Sequence, residues 1–138
     1  MPDKKNILVV DDEAGIRDFV SEILEMTAYR CTVASGFPEA VAIASAPRSR
    51  IDILLTDVII PPFQGRDLAN RLVLLKPEMK VLFMSGYPLK MLKGYGLLPP
   101  HQDYLAKPFS PSQLLLSLDS LDAEGRTWSR ATRVNAGE

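Results

Sequence analysis

Cysteine occurs once in the 138 residues, at Cys31, so no internal disulfide forms and no cysteine cluster holds a metal. That scarcity suits a reducing compartment. Neither sign of charge is in excess: 16 basic residues stand against 17 acidic ones, a net charge of -1. Broad nucleic-acid binding normally rests on a strong basic surplus, so direct nucleic-acid binding is not expected. Long hydrophobic runs are missing as well. Only about five apolar residues precede Asp11, too few for a signal-peptide core or a membrane span. The sequence has no internal repeat and no low-complexity segment. Its single histidine, His101, stands beside two prolines and reads as a surface-loop residue. A soluble cytoplasmic protein is the expectation. What is present is a globular composition, 46% hydrophobic and 24% charged. A single domain of this length buries roughly two thirds of the surface its unfolded chain exposes.

The pattern alternates short apolar runs with longer amphipathic ones. Residues 6–10 (NILVV) form a compact aliphatic run that stops at two aspartates, the mark of a strand buried on both faces. Ile16, Phe19, Val20, Ile23, Leu24 and Thr27 then follow helical spacing along one face. Residues 30–34 read as a second strand and the alanine-rich stretch 38–46 as a helix. Residues 51–56 (IDILLT) are a third strand that delivers Asp57 at its C-terminal end. After Pro61 and Pro62, Gly65 opens a helix with Leu68, Ala69, Leu72 and Leu75 inward. Residues 80–84 (KVLFM) are a fourth strand ending at Ser85-Gly86. The breaker-rich segment 87–101 leaves room only for a short helix. Residues 103–106 are a fifth strand ending at Lys107-Pro108. Ser110 suits the N-cap of the next helix, with Pro111 at its first position and Gln113 at the third position of a capping box. Strict alternation of five strands with about five helices argues for a parallel sheet covered on both faces. The apolar period fades near Ala123. Residues 1–122 therefore read as the domain, and residues 123–138, with Arg126, Arg130, Arg133 and Trp128, as a C-terminal extension.

Open α/β sheets bind ligands beyond the C-terminal ends of their strands. Here those ends carry Asp11-Asp12, Asp57, Ser85 and Lys107. Aspartates before a helix also serve as N-caps, and each of the other residues has an ordinary structural use. Together they place three carboxylates, a hydroxyl and an ammonium on one rim. Carboxylates that close raise one another's pKa unless a cation joins them. Mg²⁺ takes oxygen ligands, so Asp11, Asp12, Asp57 and the backbone carbonyl of Ile59 are the candidate ligands. Asp57 would then attack a phosphoryl group, with Lys107 and Ser85 holding its oxygens.

These pieces also resemble the receiver domain of two-component response regulators. The matching segments are VVDDE (9–13), LLTDV (54–58), FMSGY (83–87) and AKPF (106–109), in order and at matching spacing. The resemblance implies a flavodoxin-like doubly wound fold, a single domain with a five-stranded parallel sheet of order 2-1-3-4-5 and about five helices. It implies Asp57 as phospho-acceptor, Asp11 and Asp12 as the acidic Mg²⁺ pair, Ser85 as switch hydroxyl, Tyr104 as switch aromatic and Lys107 as the family's lysine. It implies a cis bond at Lys107-Pro108. The implied partners are a histidine kinase or histidine phosphotransfer protein upstream. Downstream, a protein would meet the face of the fourth helix, fifth strand and fifth helix, with a phosphorylation-dependent homodimer as another use. The implied activity is self-phosphorylation and slow self-dephosphorylation, not dedicated enzymology. Relatives often read Met-Pro-Gly where this chain has Ile60-Pro61-Pro62, and the second proline should stiffen the loop. Two rival readings remain: a non-phosphorylated pseudo-receiver, and an aspartate-nucleophile phosphatase. The latter wants a second acid two residues after the nucleophile, where this chain has Ile59.

Overall fold

The structure, a computed structural model, describes residues 4–99 and 102–129. His101, Arg130 and Arg133 lie outside the described residues. Strands β1 (Lys5–Val10), β2 (Tyr29–Ala34), β3 (Ile53–Asp57), β6 (Lys80–Ser85) and β7 (Tyr104–Ala106) form one sheet, and a short hairpin is made by β4 (Ile59–Ile60) and β5 (Phe63–Gln64). The helices are α1 (Ala14–Glu25), α2 (Phe37–Ser45), α3 (Gly65–Val73), α4 (Leu89–Gly94) and α5 (Pro111–Glu124). Sheet order is β2-β1-β3-β6-β7, with every pairing in it parallel. By position this is the expected order 2-1-3-4-5.

The aliphatic runs explain the middle of the sheet. Ile53, Leu54 and Leu55 of β3 are fully buried, as are Val9 and Val10 of β1. Burying one such side chain contributes about 2 kcal/mol. Two cores result, one on each face. Ile7, Val9, Val20, Leu24, Leu55 and Leu118 belong to the α1–α5 side. Leu8, Leu54, Leu68, Leu72, Phe83 and Leu92 belong to the side of α2, α3 and α4.

Helix ends follow local chemistry. Ser110 Oγ accepts from Gln113 N at 3.1 Å while Ser110 N donates to Gln113 Oε1 at 2.8 Å. This is the expected capping box, with Pro111 at the first position. Ser110→Ala is expected to cost about 1 kcal/mol, measured as a lower urea midpoint at unchanged slope. Helix α3 opens on a looser box of the same kind between Gln64 and Asp67. Asp67 Oδ2 accepts from Gln64 N at 2.9 Å, whereas Gln64 Oε1 is buried without a hydrogen-bond partner.

Several expectations needed correction. Leu75 is 41% exposed because α3 ends at Val73, which takes it off the inward stripe. Phe19 is 38% exposed and turns toward the Phe109 ring, 5.9 Å away between centroids. Thr27 lies past the end of α1, and its hydroxyl donates to Leu24 O at 2.6 Å. The segment 59–64 is a hairpin, not a plain loop, with Pro61-Pro62 cis at its tip. Lys107-Pro108 is cis, as expected. Helix α4 is short, at 6 residues. Beyond α5 the chain returns to the domain, and Trp128 is buried at 2% exposure.

Candidate functional site

Strand register brings the chemistry together. Val10 pairs with Thr56, so the next residues, Asp11 and Asp57, emerge side by side. Asp57 itself pairs with Met84, and Ser85 with Ala106. Lys107 N donates to Ser85 O at 2.9 Å, which fixes the lysine one step beyond the sheet. Four neighbouring strands thus present their ends on one rim.

Lys107 is the centre of the arrangement. Its Nζ donates to Asp11 Oδ2 at 2.6 Å and to Asp57 Oδ2 at 2.8 Å. Glu13 Oε1 lies 4.0 Å from the same nitrogen. The Asp11 side chain is wholly buried, and those of Asp57 and Lys107 are 14% and 10% exposed. Burial alone would pull the Lys107 ammonium down, but its bonds to the two carboxylates outweigh that and hold it above its ordinary range. Burial pushes the Asp57 carboxyl up. Lys107 opposes that shift, the Asp11 charge adds to it, and a backbone hydrogen bond from Ile59 opposes it, leaving the carboxyl above its usual value.

One carboxylate oxygen from each of Asp11, Asp12 and Asp57 lies within 4.8 Å of the others. An all-oxygen set of three acids, one of them destabilised as a charge by burial, fits a hard divalent cation. Asp12, Asp57, Ile59, Tyr87 and Lys107 line an open cleft of about 330 Å³.

Ser85 is buried beside the cleft, and its Oγ accepts from Tyr87 N at 3.0 Å. That use of the oxygen leaves its proton available for donation. The Tyr104 hydroxyl donates to Ser85 O at 3.1 Å and Tyr87 O at 2.8 Å, tying β7 to the loop after β6. Burial first, and the Asp57 charge second, push the Tyr104 phenol up.

Three contributors were not singled out from the sequence. Glu13 donates its backbone N–H to Asp11 Oδ1 at 2.8 Å, and Arg17 Nη1 donates to Asp11 O at 2.8 Å. Both orient Asp11. Their only sequence signal is proximity to the Asp11-Asp12 pair. The third is Gly65. A Cβ at this position would stand 2.2 Å from Asp57 O and 3.1 Å from Phe83 Cε1. Only glycine lets α3 start this close to the Asp57 backbone.

Fold and rim together define a doubly wound α/β domain of the flavodoxin-like class with a lysine-bridged acidic site at its strand ends. Within that class the chain belongs to the response regulator receiver domain family, which matches residues 7–119. The chain is 34% identical over 119 residues to the phosphate regulon transcriptional regulatory protein PhoB of Pseudomonas aeruginosa, covering 85% of this chain and 51% of that protein. It is 28% identical over 116 residues to the response regulator SaeR of Staphylococcus aureus, covering 84% and 50%. It is also similar to the crystal structure of a CheY-like response regulator receiver domain protein from Methanospirillum hungatei, with TM-score 0.74 and 28% identity over 88% of this chain and 95% of that one. The chain spans about half the length of the curated relatives it matches. Receiver domains are signalling modules that bind Mg²⁺ at an aspartate cluster and meet histidine kinases or phosphotransfer proteins. Among the described residues, no helix is long and apolar enough to cross a membrane.

Proposed function

We propose that this chain takes a phosphoryl group onto Asp57 from the phosphohistidine of a histidine kinase or phosphotransfer protein, and signals by a change of conformation. The observation that carries this reading is the Lys107 bridge between Asp11 and Asp57, at 2.6 and 2.8 Å, on a rim with three clustered carboxylates.

An Asp57 carboxylate oxygen attacks phosphorus. A new O–P bond forms, the P–N bond to the donor imidazole breaks, and its electron pair leaves with the imidazole. Asp11, Asp12, Asp57 and the Ile59 carbonyl would hold Mg²⁺, which supplies charge neutralisation between the acids and the phosphoryl oxygens. Lys107 stays protonated throughout, as its raised pKa favours. It gives up its bond to Asp57 and holds a phosphoryl oxygen as a point charge. The Ser85 hydroxyl donates to another oxygen. Moving Tyr104 as a switch means exchanging its two bonds to the Ser85 and Tyr87 carbonyls, each worth about 1 kcal/mol net.

The phosphorylated state shifts a pre-existing equilibrium in the face formed by α4, β7 and α5, where a downstream protein or a second copy docks. We place this activity in the cytoplasm, without direct binding to nucleic acid. Residues 1–122 carry it, with residues 123–138 as an appended segment. A phosphatase reading lacks its second acid, because position 59 is isoleucine. An aliphatic group at the cleft wall should also slow water attack on the acyl phosphate.

Incubation with Mg²⁺ and acetyl phosphate is expected to add one phosphoryl mass to the intact chain, and none to Asp57→Asn. No gain from acetyl phosphate or a phosphohistidine donor would leave only a non-phosphorylated interaction domain.

A further inference from the structure

The segment that follows α5 is seated on the domain. From Gly125, whose N–H closes the helix by donating to Leu121 O at 2.8 Å, the chain crosses from the α5 side to the opposite face. There Trp128 N donates to Met79 O at 2.8 Å, just ahead of β6. The indole Nε1 donates to Asn70 Oδ1 on α3 at 2.9 Å. The indole meets the Phe83 ring edge-on, with centroids 5.7 Å apart and planes at 66°. Trp128 is as buried as the core and shares a cluster with Leu72, Met79, Phe83, Leu92 and Leu98. Helix α4, near this cluster, is only 6 residues long, about 9 Å of helix. A large aromatic brought from outside the alternating pattern supplies cover that so short a helix cannot.

Phe83 is the notable neighbour. Its ring abuts Gly65, whose own position is set by contact with the Asp57 carbonyl. Its backbone pairs with Thr56 on one side and with Tyr104 on the other. Ser85 lies two residues further along the same strand. Phe83 therefore abuts the backbone support of the acidic site and the seat of Trp128 with its ring, and pairs through its backbone with the tyrosine tied to the Ser85 loop. A close-packed cluster of this kind changes by repacking and not by continuous deformation.

We propose that residues 125–129 form an in-cis latch on the groove between α3 and the start of β6, and that seating of Trp128 is coupled through Phe83 to the phosphoryl state of Asp57. Movement of the Asp57 carbonyl on loading displaces Gly65 and the Phe83 ring packed against it, which weakens the seat, and by linkage loss of the seat favours loading. The released groove and the released segment each become a surface that differs between the two states. This inference rests on the reading of Asp57 as phospho-acceptor.

Trp128 is the sole tryptophan of the chain, so its emission reports the seat directly. The full chain is titrated with Mg²⁺ and acetyl phosphate, and intact mass, tryptophan emission and amide exchange are read on the same sample. The latch predicts a red shift on loading, with exchange of the Trp128 amide faster by about tenfold, an ordinary size for allosteric coupling. Asp57→Asn should show neither change. Asn70→Ala removes the indole's acceptor at an exposed helix position where alanine is well tolerated. It should raise the loaded fraction at subsaturating acetyl phosphate by about fivefold. A full gain of mass with emission and exchange unchanged, and Asn70→Ala loading like the parent chain, would overturn the latch and leave the phospho-acceptor reading intact. No gain of mass would overturn both.

Discussion

Lys107→Ala is expected to lose phosphoryl acceptance by about a hundredfold or more, the usual cost of removing one donor aimed at developing charge. It should also destabilise the unmodified chain. Lys107 is the cation shared by Asp11, which is wholly buried, and Asp57, which is 14% exposed. Removing one partner of a buried ion pair typically costs 3–5 kcal/mol. Asp57 keeps some contact with water, so the low end, about 3 kcal/mol, is the expectation. For a domain of this size that lowers Tm by about 10 °C, read by calorimetry in a chelator. Added Mg²⁺ should recover part of the loss, because a divalent cation bound to the native acids takes over some of the missing charge. Lys107→Arg should recover stability better than rate, since a planar fork does not replace a compact ammonium between two carboxylates. A chain as stable without Lys107 as with it would contradict the electrostatic description of the rim.

Gly65→Ala is expected to damage both fold and site without touching a charged group. The new Cβ would lie 2.2 Å from the Asp57 carbonyl oxygen, a backbone atom that cannot swing aside. Either α3 retreats or the end of β3 moves. Overpacking of this kind costs about 3 kcal/mol, measurable by urea unfolding. Misplacing Asp57 by about 1 Å should slow phosphoryl acceptance by about a hundredfold. A variant with unchanged loading rate would show that the Asp57 backbone does not depend on the start of α3. The same substitution at Gly15, where an added Cβ meets nothing within 4 Å, serves as the control and should leave loading unchanged.

The sheet was readable because each strand is a short aliphatic run with a polar stop. NILVV ends at Asp11, IDILLT at Asp57 and KVLFM at Ser85. In a doubly wound sheet those stops fall on one rim, so the cluster of Asp11, Asp12, Asp57 and Lys107 followed from strand ends alone. The capping box at Ser110 was legible for a similar reason, since it depends on residues three apart in the chain.

What escaped was tertiary. Nothing local in IIPPFQ announces a hairpin, because Ile59 and Ile60 find Gln64 and Phe63 across a two-proline tip. Trp128 looks like part of an extension in the sequence, since a single buried aromatic leaves no periodicity. Its seat depends on Asn70, Met79 and Phe83, which are distant in sequence. In the sequence Gly65 marks only the opening of a helix. Its closeness to Asp57 O depends on where the hairpin sends the chain, and that contact exists only in the folded state.

Phosphoryl transfer to Asp57 leaves an acyl phosphate at that position and nowhere else. Borohydride reduction tests this directly, because it converts an aspartyl phosphate into homoserine and leaves an ordinary aspartate unchanged. The chain is loaded with Mg²⁺ and acetyl phosphate, reduced, digested and sequenced by mass spectrometry. Homoserine is expected at position 57 and at no other aspartate, neither at Asp11 nor at Asp12, and omission of Mg²⁺ should abolish it. Homoserine at another aspartate, or none under conditions that load a phosphohistidine-accepting relative, would contradict the account.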